Sequence, residues 1–104
     1  MLTSKQRAFL RSLAVDIDTI VMVGKGGISP QIVRQADDAL TAREIVKGKV
    51  LESAGVTSRE IAEQLAAETQ CDVVQVIGSK FVLFRRNPKA PKVELPKAKK
   101  GGRK

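Results

Sequence analysis

The chain has 104 residues, 19 of them Lys or Arg and 11 Asp or Glu, for a formal charge of +8. Apolar residues make up 42%, ordinary for a globular fold and too many for a disordered chain. That length fits one small domain, and no apolar run approaches the roughly 20 residues of a membrane span.

Composition removes further classes. With no His, Trp or Tyr and one Cys, His-based acid–base catalysis, His metal sites and Cys–His dyads are excluded. Three Phe are too few for a rich base-stacking surface. A lone Cys closes no internal disulfide, which fits a reducing compartment and a cytoplasmic location. The opening Met-Leu-Thr-Ser-Lys-Gln-Arg has charge but no apolar block behind it, so no secretory leader is expected. The charge is unevenly placed. Residues 1–84 hold ten basic and ten acidic side chains, whereas residues 85–104 hold nine basic ones against Glu94 alone. The whole excess of +8 lies there.

In chain order, Thr3 or Ser4 can cap a first helix running to about Val15. Gln6, Phe9, Leu10, Leu13 and Ala14 fall on one face, and Lys5, Arg7 and Arg11 lie largely off it. Thr19–Val23 is a continuous apolar run of strand length, which predicts a central, covered strand. Gly24-Lys25-Gly26-Gly27 ends it. Ser29 is a good N-cap and Pro30 a good first residue for a helix ending near Ala42. Glu44–Leu51 alternates, with Ile45, Lys47, Lys49 and Leu51 on one side and Val46, Gly48 and Val50 on the other. This predicts a half-exposed strand with two lysines off one face.

Thr57 and Glu60 form a capping box for a helix to about Thr69. Asp72–Ile77 and Lys80–Phe84, joined by Gly78-Ser79, read as a hairpin. The order α-β-α-β-α-β-β predicts a compact α/β domain, with a four-stranded mixed sheet packed by helices. After Arg86 the chain is lysine-rich and interrupted by prolines. Residues 1–86 are therefore expected to be the domain and 87–104 a basic, flexible tail.

The sharpest motif is Gly24-Lys25-Gly26-Gly27. Glycines allow close backbone approach and positive φ, a helix N-terminus follows, and Lys25 adds a mobile cation. Together they can cradle a nucleic-acid phosphate, or simply make a tight turn. The P-loop pattern fails because Lys25 sits between the glycines with no Ser or Thr after it; the dinucleotide fingerprint fails for want of a glycine at position 29. Lys47 and Lys49 could reach phosphates from one sheet face. Lys5, Arg7 and Arg11 matter only if the fold brings them to the glycine loop. The basic end of the chain, beginning at Arg85 and Arg86, is an electrostatic arm suited to nucleic acid. Cys71 reads as a small buried hydrophobe. Asp16, Asp18, Asp37 and Asp38 read as solvated.

Four segments carry a family resemblance. They are Leu-Thr-Ser-Lys-Gln-Arg-Ala-Phe-Leu-Arg-Ser-Leu-Ala from Leu2, Ile-Val-Met-Val-Gly-Lys-Gly-Gly-Ile-Ser from Ile20, Glu-Ile-Val-Lys-Gly-Lys-Val from Glu44, and Val-Gln-Val-Ile-Gly-Ser-Lys-Phe-Val-Leu-Phe-Arg-Arg from Val74. In order and spacing they resemble bacterial YhbY-type proteins, which are stand-alone CRM (chloroplast RNA splicing and ribosome maturation) domains. The likeness covers about residues 2–86. It implies a fold similar to the C-terminal domain of translation initiation factor three and a glycine loop like that of KH domains. The family's loop maps onto Gly24, Lys25, Gly26 and Gly27, and its basic strand onto Lys47 and Lys49. Gly48 departs from the usual β-branched residue, which predicts a looser strand.

The resemblance implies RNA binding without catalysis, on large-subunit ribosomal RNA or a pre-ribosomal particle, in ribosome assembly. The expected state is a monomer, with no cofactor, metal, membrane or small-molecule substrate. The competing reading is a protein-binding adaptor on the ribosome whose only RNA contact is the basic tail. A small enzyme has the least support, since no nucleophile with a base, metal cluster or nucleotide motif is present.

Overall fold

The computed structural model describes residues 2–87. The flexible tail expected at 87–104 lies outside the described residues, Asn87 excepted. Helix α1 spans Ser4–Val15, strand β1 Thr19–Val23, helix α2 Pro30–Arg43 and strand β2 Ile45–Val50. A short 3-10 turn, Glu52–Ala54, leads to helix α3 at Ser58–Thr69, strand β3 at Asp72–Ile77 and strand β4 at Lys80–Phe84. This is the α/β order read from the sequence.

Local chemistry sets the helix starts. The Thr3 hydroxyl accepts from Gln6 N and the Gln6 side chain accepts from Thr3 N, at 3.0 and 3.1 Å. Thr57 and Glu60 repeat this capping box on α3. Ser29 caps α2, and Pro30 supplies the fixed φ of the first helical position.

The four strands lie in the order β1-β2-β4-β3. β1 and β2 run parallel, as a strand–helix–strand crossover requires, while β4 pairs antiparallel with both β2 and β3. The last strand in sequence is thus central, which explains why Phe81, Val82, Leu83 and Phe84 are all buried. Val21, Val23, Val46, Val50, Phe81 and Leu83 pack under α2 and α3. Ile45, Val74, Val82 and Phe84 pack on the opposite face under Leu10 and Ala14 of α1. Full burial of each such aliphatic or Phe side chain contributes roughly 1.5–3 kcal/mol.

Two expectations need correction. β1 is an edge strand, not a central one. Val21 and Val23 are buried, but Met22 faces the other way and is 51% exposed, because α1 covers only part of that face. Glu44 is not part of a half-exposed strand. It is the C-cap of α2, at φ +66°, and is fully buried. β2 itself is internal, and Lys47 and Lys49 are half-buried.

Gly48 has a steric cause. It lies directly opposite Phe81 in the β2–β4 register, and a Cβ added there would clash with the Phe81 ring, 2.2 Å from its Cζ. The ring fills the space that a β-branched residue would occupy, so the strand is covered at this point rather than loosened. Gly48→Val is expected to lower the unfolding free energy in urea by about 1–3 kcal/mol through overpacking. Combined with Phe81→Leu, it should cost clearly less than the sum of the two single changes.

Candidate nucleic-acid interface

The glycine loop is a hydrogen-bonded turn. Gly27 N donates to Gly24 O at 2.9 Å. Gly26, at the third position, has φ +96°, and Lys25 before it is not in the positive-φ region; this is the type II pattern. Gly27 follows at φ +68°. A Cβ at Gly26 or Gly27 would meet nothing within 4 Å. Their requirement is conformational, and the main chain there is open to approach. Gly24 differs: its Cβ position lies 3.3 Å from Cδ1 of Leu51, so it anchors the loop to the body. Lys25 is exposed and has no ion-pair partner among the described residues.

The helix N-terminus behind the loop offers less than its position promises. Pro30 has no N–H, and the Ser29 hydroxyl already accepts the Ile32 N–H at 3.3 Å. Anion attraction at this end falls chiefly to the loop backbone and Lys25.

The loop sits at one end of the sheet. Leu51 N donates to Val23 O and Val50 N to Ser79 O, at 2.8 and 2.7 Å, so the β1, β2 and β3–β4 turns meet there. Registers place Met22 beside Lys49, Lys49 beside Lys80, and Lys80 beside Ile77. These four residues form a row across all four strands, on the face that carries α1 farther along. Lys80 was not singled out in the sequence. The two-residue turn at Gly78-Ser79 pairs it with Ile77, but only the insertion of β4 beside β2 brings it to Lys49.

The remaining expected cations separate into two groups. Lys47 Nζ donates to Ala14 O at 3.0 Å, placing a cation at the C-terminus of α1, which has no basic residue in its own last turn. Arg11 is exposed and lines a groove with Lys47 and Lys80. Lys5 and Arg7 lie toward the start of α1. The Arg7 guanidinium donates to the Val73 carbonyl, at the irregularity in the β3–β4 register, so it serves the fold.

Arg85 and Arg86 are at the end of the sheet away from the glycine loop. Arg85 donates to Asp37 Oδ1 at 2.6 Å, Thr69 O at 2.8 Å, Thr41 Oγ1 at 2.8 Å and Asp37 O at 3.1 Å. Asp37, read from sequence as solvated, is its ion-pair partner, because β4 delivers Arg85 to the side of α2. Arg86 lies 3.8 Å from the buried Glu44 carboxylate, which also accepts from Asn87 N. Glu44 thus ties the exit of the chain to the end of α2.

Cys71 is half-buried against the main core. Burial pushes its thiol above the ordinary value, against the lowering effects of the Thr69 hydroxyl and Arg85, which leaves a poor nucleophile at neutral pH. Among the described residues, no His, Cys, Asp and Glu side chains group as a metal site would, and no helix is long and apolar enough to cross a membrane.

The CRS1 / YhbY (CRM) domain model matches residues 2–85. The chain belongs to this family. A Bacillus subtilis relative, probable RNA-binding protein YqeI, is 38% identical over 96 residues, covering 92% of this chain and all of the relative. A Haemophilus influenzae relative named RNA-binding protein is 33% identical, covering 92% of this chain and 96% of the relative. The solution structure of the hypothetical protein SAV1595 from Staphylococcus aureus superposes with a TM-score of 0.73 at 42% identity, over 92% of this chain and 100% of that one. The names of both relatives describe RNA binding.

Two stability measurements separate loop geometry from the clasp. Gly26→Ala should cost about 1–2 kcal/mol through its left-handed φ, with no steric clash. Arg85→Ala should cost about 1.5–3 kcal/mol by removing charge-assisted bonds. Urea unfolding of both variants checks this.

Proposed function

We propose that this CRM protein binds structured RNA through its phosphate backbone, without catalysis. The carrying observation is that the open glycine turn, exposed Lys25 and the Lys49–Lys80 pair share one end of the sheet. The turn presents bare main chain to a phosphate, and the cations extend that surface across the strands. Contacts of this kind position the RNA, so preference comes from shape more than from base sequence. The names of the relatives support RNA as the partner.

The natural target in this reading is large-subunit ribosomal RNA in a precursor particle, where the protein assists assembly in the cytoplasm. The seven basic residues of 89–104 raise the association rate and the general affinity. Arg85 contributes through the fold rather than through direct contact, since its guanidinium is already held. Lys25, Lys49 and Arg11 are the better candidates for phosphate contact.

Gel-shift titration across salt concentrations tests the assignment. Lys25→Gln and Lys49→Gln should each weaken binding to structured ribosomal RNA and flatten the log–log salt slope by about 1. Replacing the Lys and Arg residues of 89–104 by Gln should weaken binding but leave a salt-dependent complex. Abolition by the tail changes, with neutral loop changes, would favour the adaptor reading. Crosslinking in cells, with sequencing of the attached RNA, should return one contiguous region of large-subunit RNA.

A further inference from the structure

We infer that the uncovered end of the α1-bearing sheet face seats a single unpaired nucleotide of the bound RNA; this rests on the RNA-binding reading. Lys49 and Lys80 stand directly opposite each other on antiparallel strands. Like charges so placed repel, and neither has an ion-pair partner among the described residues. An anion between them would remove that repulsion. Bare phosphate alone does not account for the neighbours. Met22 and Ile77 flank the lysines in the same row, 51% and 62% exposed, and Val15 at the end of α1 is 75% exposed.

Beside the row lies a groove of about 490 Å³, between the last turn of α1 and strands β3 and β4. Its walls are Val15 and Ile77, and Arg11, Lys47 and Lys80 line it as cations. The volume lies within the roughly 300–1,000 Å³ of small-ligand sites. Apolar walls with cations at the rim match a nucleotide, which joins a flat, weakly polar base to a phosphodiester. Arg11 adds a guanidinium plane on which a base can stack. The Lys47–Ala14 bond also offsets the partial negative charge that the end of α1 would otherwise present to the groove. A base stacked and paired in a duplex cannot reach into it, whereas a base splayed from a bulge or loop can. The row continues toward the glycine turn, so the same strand can lie on both.

The test uses the full chain and two RNA hairpins of the same stem, one fully paired and one with a single unpaired 2-aminopurine. The expected result is about tenfold tighter binding of the bulged hairpin, within the range of single-base contacts, with a change in 2-aminopurine fluorescence on binding. Ile77→Ser and Val15→Ser, both at exposed positions, should bring the affinity ratio close to one. Equal affinities with the unchanged protein, or a preference that survives both substitutions, overturns the groove assignment while the paired hairpin still reports RNA binding. Binding of neither hairpin overturns this inference together with the RNA reading.

Discussion

The Phe81 ring on Gly48 fixes the register of the two central strands, and the rest of the arrangement follows from that register. A slip of one residue would turn every side chain of β2 or β4 to the other face. A slip of β2 would turn Lys47 and Lys49 under α2 and α3; a slip of β4 would turn Lys80 there and take Phe81 out of the main core. The ring permits one pairing because only glycine leaves room beneath it. The same contact that closes the main core therefore presents the cations on the opposite face.

The domain has two contrasting ends about one strand length apart, roughly 17–20 Å. At one, Glu44, Arg85 and Asn87 fasten the chain exit to the end of α2, with most donors and acceptors matched. At the other, the glycine turn, Lys49, Lys80 and Ile77 meet with few such partners. This division explains why similar-looking cations play different parts. Arg7, Lys47 and Arg85 hold carbonyls or carboxylates of the fold, whereas Lys25, Lys49, Lys80 and Arg11 remain available to a polyanion.

Much of the fold was legible because each element carries its own signals. Thr57 with Glu60 marks a helix start, Ser29-Pro30 marks another, and Gly78-Ser79 marks the hairpin. Strand order was not legible. The apolar run Thr19–Val23 resembles a buried strand in isolation, yet its place at the edge depends on β4 inserting beside β2. Glu44 was hidden for the same reason: its carboxylate meets Asn87 N, 43 residues away in sequence. The loop and Lys47 and Lys49 were visible as local motifs. Lys80 and Ile77 join the lysine row only through strand pairing, and no local pattern places Asp37 and Thr69 around the Arg85 guanidinium.

The central claim is that RNA approaches the main chain at Gly24–Gly27 and the adjoining lysine row. Backbone amide chemical shifts of the full chain, followed during titration with a structured ribosomal RNA fragment, test it directly. The account predicts that Gly24, Lys25, Gly26, Gly27, Lys49 and Lys80 move together at the lowest RNA ratios. Shifts confined to residues 88–104, with that end of the sheet unperturbed, would contradict it.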